Sequence, residues 1–287
     1  MATHLPTVSV VVPVHNGAAT IGCCVEALLE LDYPEAALEI VVVDNRSTDA
    51  TRHILAAYPV RVVDESAVQS SYAARNRGVA MTEGRVVAFT DADCVPARGW
   101  LRALVAALDG PGIGGVAGAI QPYRAKSRVE RYQAGRSLRA ERAFNHPVMP
   151  FAQTANAAYP RTVLAQVGGF DPTIVFGGDL DFSWRMQRTT GLQLVYAPRA
   201  LVRHQHRTTW RGLFALYEKN AIANCLLASR YAHYAEYPHL RTFLYLGREL
   251  LTHGLRGDVG AVRYAGEAWG WLRWQTGSAR GAQEVAV

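Results

Sequence analysis

The sequence predicts an α/β protein in which a mostly parallel central sheet is flanked by helices and followed by a helical C-terminal extension. Three observations lead to this reading. Short β-branched apolar runs alternate with helix-length segments over the first hundred residues. Polar and acidic residues collect directly after those runs. Beyond Trp210 the apolar spacing becomes helical almost without interruption.

The apolar runs at residues 8–12, 40–43, 60–63 and 86–89 are bounded by polar turns, as strands buried on both faces should be. Between them, residues 19–31, 48–58 and 71–81 are long enough for crossover helices. Such a series closes most economically into a parallel sheet, and ligands then bind beyond the carboxyl ends of its strands. The polar residues collect at those ends. His15 and Asn16 follow the first run, Asp44-Asn45-Arg46-Ser47-Thr48-Asp49 the second, and Asp91-Ala92-Asp93 the fourth. Ser47, Thr48 and Asp49 read as a helix cap, whereas Asp44 sits too early to cap.

Past Gly118 the expected elements are a basic helix over 124–145, a strand over 155–159, and a helix over 160–167 ended by Gly168-Gly169. A helix over 179–188 and a strand over 192–196 follow. No internal repeat or low-complexity linker appears. The reading is one α/β domain over residues 1–210 with a helical extension over 211–287.

Composition narrows the function. With 49% hydrophobic and 19% charged residues in 287, the chain has ample core material and is not disordered as a whole. Its four cysteines form no C-x-x-C pair, which argues against a disulfide scaffold or a cysteine zinc site and fits a reducing, cytoplasmic setting. No apolar run approaches the roughly 20 residues of a bilayer span, and no signal segment is recognisable. The net charge of +6 is local: residues 124–142 carry +5 and residues 198–212 carry +4, so the remainder is −3. That pattern calls for an anionic ligand or surface beside two stretches. No nucleic-acid-binding pattern accompanies the arginines, so no nucleic-acid partner is expected. Residues 110–115 match G-x-G-x-x-G but precede a strand, which fails the dinucleotide context, and no P-loop occurs.

Three clusters offer chemistry. Asp91 and Asp93 flank one residue after a buried strand; in extended chain both carboxylates address one point, which suits Mg²⁺ or Mn²⁺ holding phosphates. Asp179 and Asp181 open a helix, where about 100° per residue points them in nearly opposite directions. Asp179 shares the inward face with Phe182 and Met186 and is the general-base candidate, while Asp181 makes an ordinary surface pair with Arg185. His204 and His206 follow a strand, and either could complete a metal shell.

Taken together, residues 8–17 (Val-Ser-Val-Val-Val-Pro-Val-His-Asn-Gly), 40–49 (Ile-Val-Val-Val-Asp-Asn-Arg-Ser-Thr-Asp) and 74–78 (Ala-Arg-Asn-Arg-Gly) resemble the ordered motifs of family 2 glycosyltransferases with the GT-A, Rossmann-like fold. Residues 89–93 (Phe-Thr-Asp-Ala-Asp), 167–171 (Val-Gly-Gly-Phe-Asp) and 178–181 (Gly-Asp-Leu-Asp) complete the set. The resemblance implies an inverting transfer of one sugar from a nucleotide diphosphate donor, UDP by default, to a hydroxyl acceptor. It divides the domain into a nucleotide-binding half over about 1–120 and an acceptor half over about 121–210. It places Pro13, His15, Asn16, Asp44, Arg75, Asp91, Ala92 and Asp93 around the nucleotide, Asp91, Asp93 and His204 around Mg²⁺ or Mn²⁺, and Asp179 at the acceptor as base. Gly178, Asp181 and Asn156 stand as acceptor-side candidates. Many relatives carry a glutamate where this chain has Gly178, so acceptor class does not carry over. The Q-x-x-R-W signature of processive synthases is absent.

Phe243, Leu246, Leu250 and Leu251, then Val259, Val262, Trp269, Trp271, Leu272 and Trp274 with interspersed arginines, suggest two amphipathic helices. They would either cover the core or a dimer partner, or attach the protein to the cytoplasmic face of a membrane near a lipid-linked acceptor. A non-catalytic nucleotide-sugar-binding protein is the rival class, and metal-dependent release of nucleoside diphosphate separates it from an enzyme. A nucleotidyltransferase would need a glycine-rich phosphate loop where Val14-His15-Asn16-Gly17 stands.

Overall fold

The computed structural model describes residues 5–136, 139–174, 176–231 and 239–278. The chain divides into two compact units: Met1–Tyr123, Leu138–Pro172 and Gly178–Gln205 form the first, and Arg124–Ser137, Thr173–Gly177 and His206–Val287 form the second. The expected boundary at residue 210 falls at Gln205, and two internal segments go to the second unit.

The first unit is a single eight-stranded sheet with helices packed on it. In chain order its strands are β1 (Val8–Val14), β2 (Leu38–Asp44), β3 (Arg61–Asp64), β4 (Val86–Thr90), β5 (Cys94–Pro96), β6 (Ile113–Pro122), β7 (Asn156–Pro160) and β8 (Gln193–His204). They lie side by side as β3-β2-β1-β4-β7-β6-β8-β5. The pairs β1–β2, β2–β3, β1–β4 and β6–β8 are parallel, and β7 and β5 pair antiparallel with their neighbours. The sheet is therefore mostly parallel, as expected, with two reversed strands. All seven residues of β1 are buried, which is why its run is apolar with no alternation.

The helices of this unit are α1 (Ile21–Leu29), α2 (Thr51–Leu55), α3 (Ser71–Ala80), α4 (Trp100–Leu108), α6 (Ala140–Phe144), α7 (Arg161–Val167) and α8 (Gly178–Thr190). Two expectations are corrected. The helix expected from residue 48 starts at Thr51, because Ser47 and Thr48 are tied to Asn16 instead of capping; Asp49 alone turns back on the helix start, accepting the Thr51 N–H at 3.0 Å. The single basic helix expected over 124–145 is two short ones, α5 (Arg128–Ala134) and α6. A Ser127–Glu130 capping box starts α5, and Gly135 ends it.

The second unit gathers α5, α9 (Trp210–Arg230), α10 (His239–Leu255) and α11 (Val259–Gln275). Val129, Leu213, Tyr217 and Val259 form its small core. Helices α9 and α11 meet closely: a Cβ at Gly266 would lie 2.5 Å from the Phe214 carbonyl, and one at Gly270 would lie 2.4 Å from that of Glu218. Leu246 and Trp274 are buried, whereas Leu251, Trp269 and Leu272 are exposed. The side chain of Phe243 lies outside the described residues. No described helix is long and apolar enough to cross a membrane.

Candidate active site

The register pairs Val14 with Asp44 and Asp44 with Asp64, so β1, β2 and β3 finish at one edge. The loops beyond them are stitched together by polar groups. Asn16 Oδ1 accepts the Thr48 N–H at 2.8 Å, the Asn16 N–H donates to Ser47 Oγ at 2.9 Å, and Asn45 Nδ2 donates to the carbonyls of Glu65 and Val68 at 2.8 Å each. Asn16 and Arg46 adopt left-handed backbone conformations to make these turns. His15 Nδ1 lies 2.8 Å from the Asn45 carbonyl; a carbonyl only accepts, so Nδ1 carries the proton and Nε2 accepts from Asn16 and Gln69. Pro13 lies within β1, beside this edge.

Asp44 is fully buried, and Arg52 neutralises it at 2.5 Å while also reaching Asp64. The sequence motif marks Asp44 but conceals Arg52, whose partner is eight residues away across a loop.

At the end of β4 the chain turns instead of continuing extended: the Cys94 N–H donates to the Asp91 carbonyl at 3.0 Å. The expectation of extended chain here is therefore corrected, and the two carboxylates meet different partners. Asp91 meets Arg75 at 2.5 Å, a guanidinium only 4% exposed, and Asp93 lies 3.3 Å from His204 Nε2. Antiparallel pairing of β5 with β8 sets Cys94 opposite His204 and so delivers the imidazole. Asp93, Cys94 and His204 have donor atoms within 4.8 Å of one another. Burial pushes the Cys94 thiol up, with Asp93 adding to the shift, and a soft sulfur donor is a poor ligand for a hard cation. The carboxylate and the imidazole fit Mn²⁺ or Mg²⁺. Asp91 lies outside this cluster, and His206 belongs to the second unit.

The motif at residues 74–78 explains itself residue by residue. Arg75 pairs with Asp91. Asn76 clamps the Phe170 backbone from both sides, donating to its carbonyl at 2.7 Å and accepting its N–H at 2.9 Å, which ties α3 to the turn after α7. Gly78 faces β1, where a Cβ would stand 2.3 Å from Val11 Cγ1.

Asp179 opens α8 and is half-buried. Its Oδ1 accepts the Leu180 N–H at 3.0 Å and faces the Tyr72 hydroxyl at 3.5 Å. Burial pushes its pKa above the ordinary carboxylate value, the charge of Arg75 pulls it back, and the charge of Asp91 adds to the rise. The charge of Arg75 thus acts on Asp179 as well as on Asp91. Gly178 lies against Tyr72, so that any side chain there would collide with the phenol ring.

Two acceptor-side candidates are buried and held by internal bonds. Asp181 is buried, not surface-exposed: Arg185 holds it at 2.8 Å and also caps the carbonyls of Val167 and Gly169. Asn156 lies inside the sheet, donating to the carbonyls of Ala119 and Ala200 and accepting from Trp100 Nε1 at 2.7 Å. Sequence reasoning missed Tyr72, whose position in a helix reads as ordinary core.

The profile of Glycosyl transferase family 2 matches residues 9–168. The chain is 32% identical over 215 residues to Glycosyltransferase AglE of Haloferax volcanii, covering 72% of this chain and 69% of that protein. It is also 32% identical over 217 residues to the Pre-mycofactocin glycosyltransferase of Mycobacterium tuberculosis, where it spans 44% of the relative's length. A mannosyltransferase from Pyrobaculum calidifontis, solved with GDP-Man and Mn²⁺, has a similar fold, with TM-score 0.59, 23% identity, and coverage of 99% of this chain and 74% of that one. Glucosyl-3-phosphoglycerate synthase from Mycobacterium tuberculosis, solved with Mn²⁺, UDP and phosphoglyceric acid, matches with TM-score 0.58, 24% identity and 78% coverage of each chain. With its fold, its ordered motifs and these relatives in agreement, the chain belongs to glycosyltransferase family 2 and is a glycosyltransferase.

Proposed function

We propose that this chain transfers a single sugar from a nucleoside diphosphate donor to a hydroxyl acceptor with inversion, Asp179 acting as base. The observation that carries the reading is the position of Arg75, paired with Asp91 on one side and electrostatically coupled to Asp179 on the other. The same guanidinium thus acts on one donor-end carboxylate and on the base. A carboxylate with a raised proton affinity is suited to take a proton from an alcohol near neutral pH, a contribution of about 10²- to 10⁴-fold. Oδ1 is occupied by the Leu180 N–H, which leaves Oδ2 to receive the proton.

Asp93 and His204 would hold Mn²⁺ or Mg²⁺, which neutralises charge on the departing pyrophosphate when bound. The loops built on His15, Asn16 and Asp44 receive the nucleoside, Pro13 and Ala92 line its approach, and Arg75 fixes Asp91 beside it. The donor is taken as a UDP-sugar by default. The acceptor class we favour is a lipid-linked or cell-envelope glycan at the cytoplasmic face of a membrane. Leu251, Leu255, Trp269 and Leu272, all exposed on α10 and α11, support it. Co-sedimentation with anionic vesicles should weaken when Leu251 and Leu255 become glutamate; unchanged partitioning contradicts the membrane contact.

The donor is tested by thermal shift of the purified protein with UDP-, GDP- and dTDP-sugars in Mn²⁺ or EDTA. The reading expects stabilisation by one donor series that needs the cation. Equal stabilisation in EDTA would remove the metal from the proposal.

A further inference from the structure

We propose that Tyr72 is the positioning residue for Asp179: its hydroxyl anchors one carboxylate oxygen, and the missing side chain at Gly178 makes room for its ring. The proposal rests on the assignment of Asp179 as base. Tyr72 lies on the first turn of α3, where the Ser70 side chain caps its N–H, and it is 5% exposed. Its ring is held on three sides. The Phe170 ring lies 5.7 Å away at 30°, the Arg75 guanidinium lies 5.3 Å from the ring centroid, and the Gly178 backbone closes the third side. A Cβ at residue 178 would lie 2.7 Å from Tyr72 Cε2 and 2.9 Å from Cδ2 and Cζ, so even alanine must displace the ring.

The hydroxyl stands 3.5 Å from Asp179 Oδ1, the oxygen that also accepts the Leu180 N–H. That separation is longer than an ordinary O–H···O hydrogen bond, and catalytic hydrogen bonds are often long until a substrate complex tightens them. With both donors on Oδ1, the plane of the carboxylate is set and Oδ2 points in one direction, the geometry a proton acceptor needs. Burial keeps the phenol neutral, so it only donates to the carboxylate. The titratable and charged groups facing Asp179 are Tyr72 and Arg75 from α3, Asp91 beyond β4, and Tyr159 from β7. A donor to the ionised form favours that form, so its removal must raise the proton affinity of Asp179.

The test uses the full chain labelled with ¹³Cγ-aspartate, the Asp179 resonance being assigned by its loss in Asp179→Asn. In Tyr72→Phe the Asp179 titration midpoint should move up by about half to one pH unit. Nucleoside diphosphate release from UDP-glucose or GDP-mannose with Mn²⁺, water being the acceptor, should fall about three- to tenfold in kcat with KM for the donor within about twofold. The acid limb of kcat should follow the midpoint upward. Gly178→Ala should reproduce the loss in the native background and add nothing to Tyr72→Ala, where the ring is gone. An unmoved midpoint in Tyr72→Phe overturns the proposal, as does a Gly178→Ala loss that persists in full beside Tyr72→Ala. Retained turnover in Asp179→Asn would instead overturn the base assignment, whatever Tyr72 does.

Discussion

Arg75→Met removes the cation that pairs with Asp91 and acts on Asp179. The guanidinium is 4% exposed and its ion pair with Asp91 is 2.5 Å long, while the Asp91 side chain is 31% exposed. Removing one partner of a fully buried pair costs about 3–5 kcal/mol, because a charge is left without compensation. Water reaches Asp91 in part, which reduces the expected loss to about 2–3 kcal/mol. For a unit of this size each kcal/mol is worth roughly 2–4 °C, so Tm should fall by about 4–12 °C. Arg75 also pulls the Asp179 pKa down. Its loss raises that pKa further, and the acid limb of kcat/KM moves to higher pH. Differential scanning calorimetry at pH 7.5 and a pH profile of nucleoside diphosphate release measure the two effects. A Tm within about 1 °C of the native protein, with an unmoved acid limb, would refute the reasoning.

Asp179→Asn should raise Tm at pH 7.5, since burial lifts the folded-state pKa above the unfolded value. The folded state then binds more protons, so stability falls as pH rises from the unfolded pKa through the folded one, and the gain from asparagine should vanish near pH 3.5. No gain at neutral pH would contradict the burial argument. His204→Ala should weaken Mn²⁺-dependent donor binding at least tenfold by titration calorimetry, while Cys94→Ala leaves it within about twofold, because a soft sulfur donor contributes little to a hard cation. Equal losses in both would return the cysteine to the ligand set.

β1, β2 and β4 were legible because each holds a run of buried apolar residues, and the motifs were legible because polar residues had to follow those runs. The same expectation of burial on both faces fails for β3, which lies at the edge of the sheet and exposes Arg61, Val62 and Asp64. The three-residue β5 carries no periodic signal, yet its pairing delivers His204 to Asp93. The extended reading of Asp91-Ala92-Asp93 failed on one hydrogen bond, the turn closed by the Cys94 N–H. Spacing identified the Asp181–Arg185 pair but could not tell a buried face from an exposed one. Gly178 was visible as a departure from the family pattern, and the Tyr72 ring that a side chain there would strike lies more than a hundred residues upstream, beyond the reach of any local pattern.

Asp179→Asn, assayed in parallel for turnover and for donor binding, tests the division of labour between cation site and base most directly. The account predicts that nucleoside diphosphate release falls at least about a hundredfold while donor affinity in Mn²⁺ stays within about twofold. Turnover close to that of the native protein, or donor affinity lost together with it, would contradict the account.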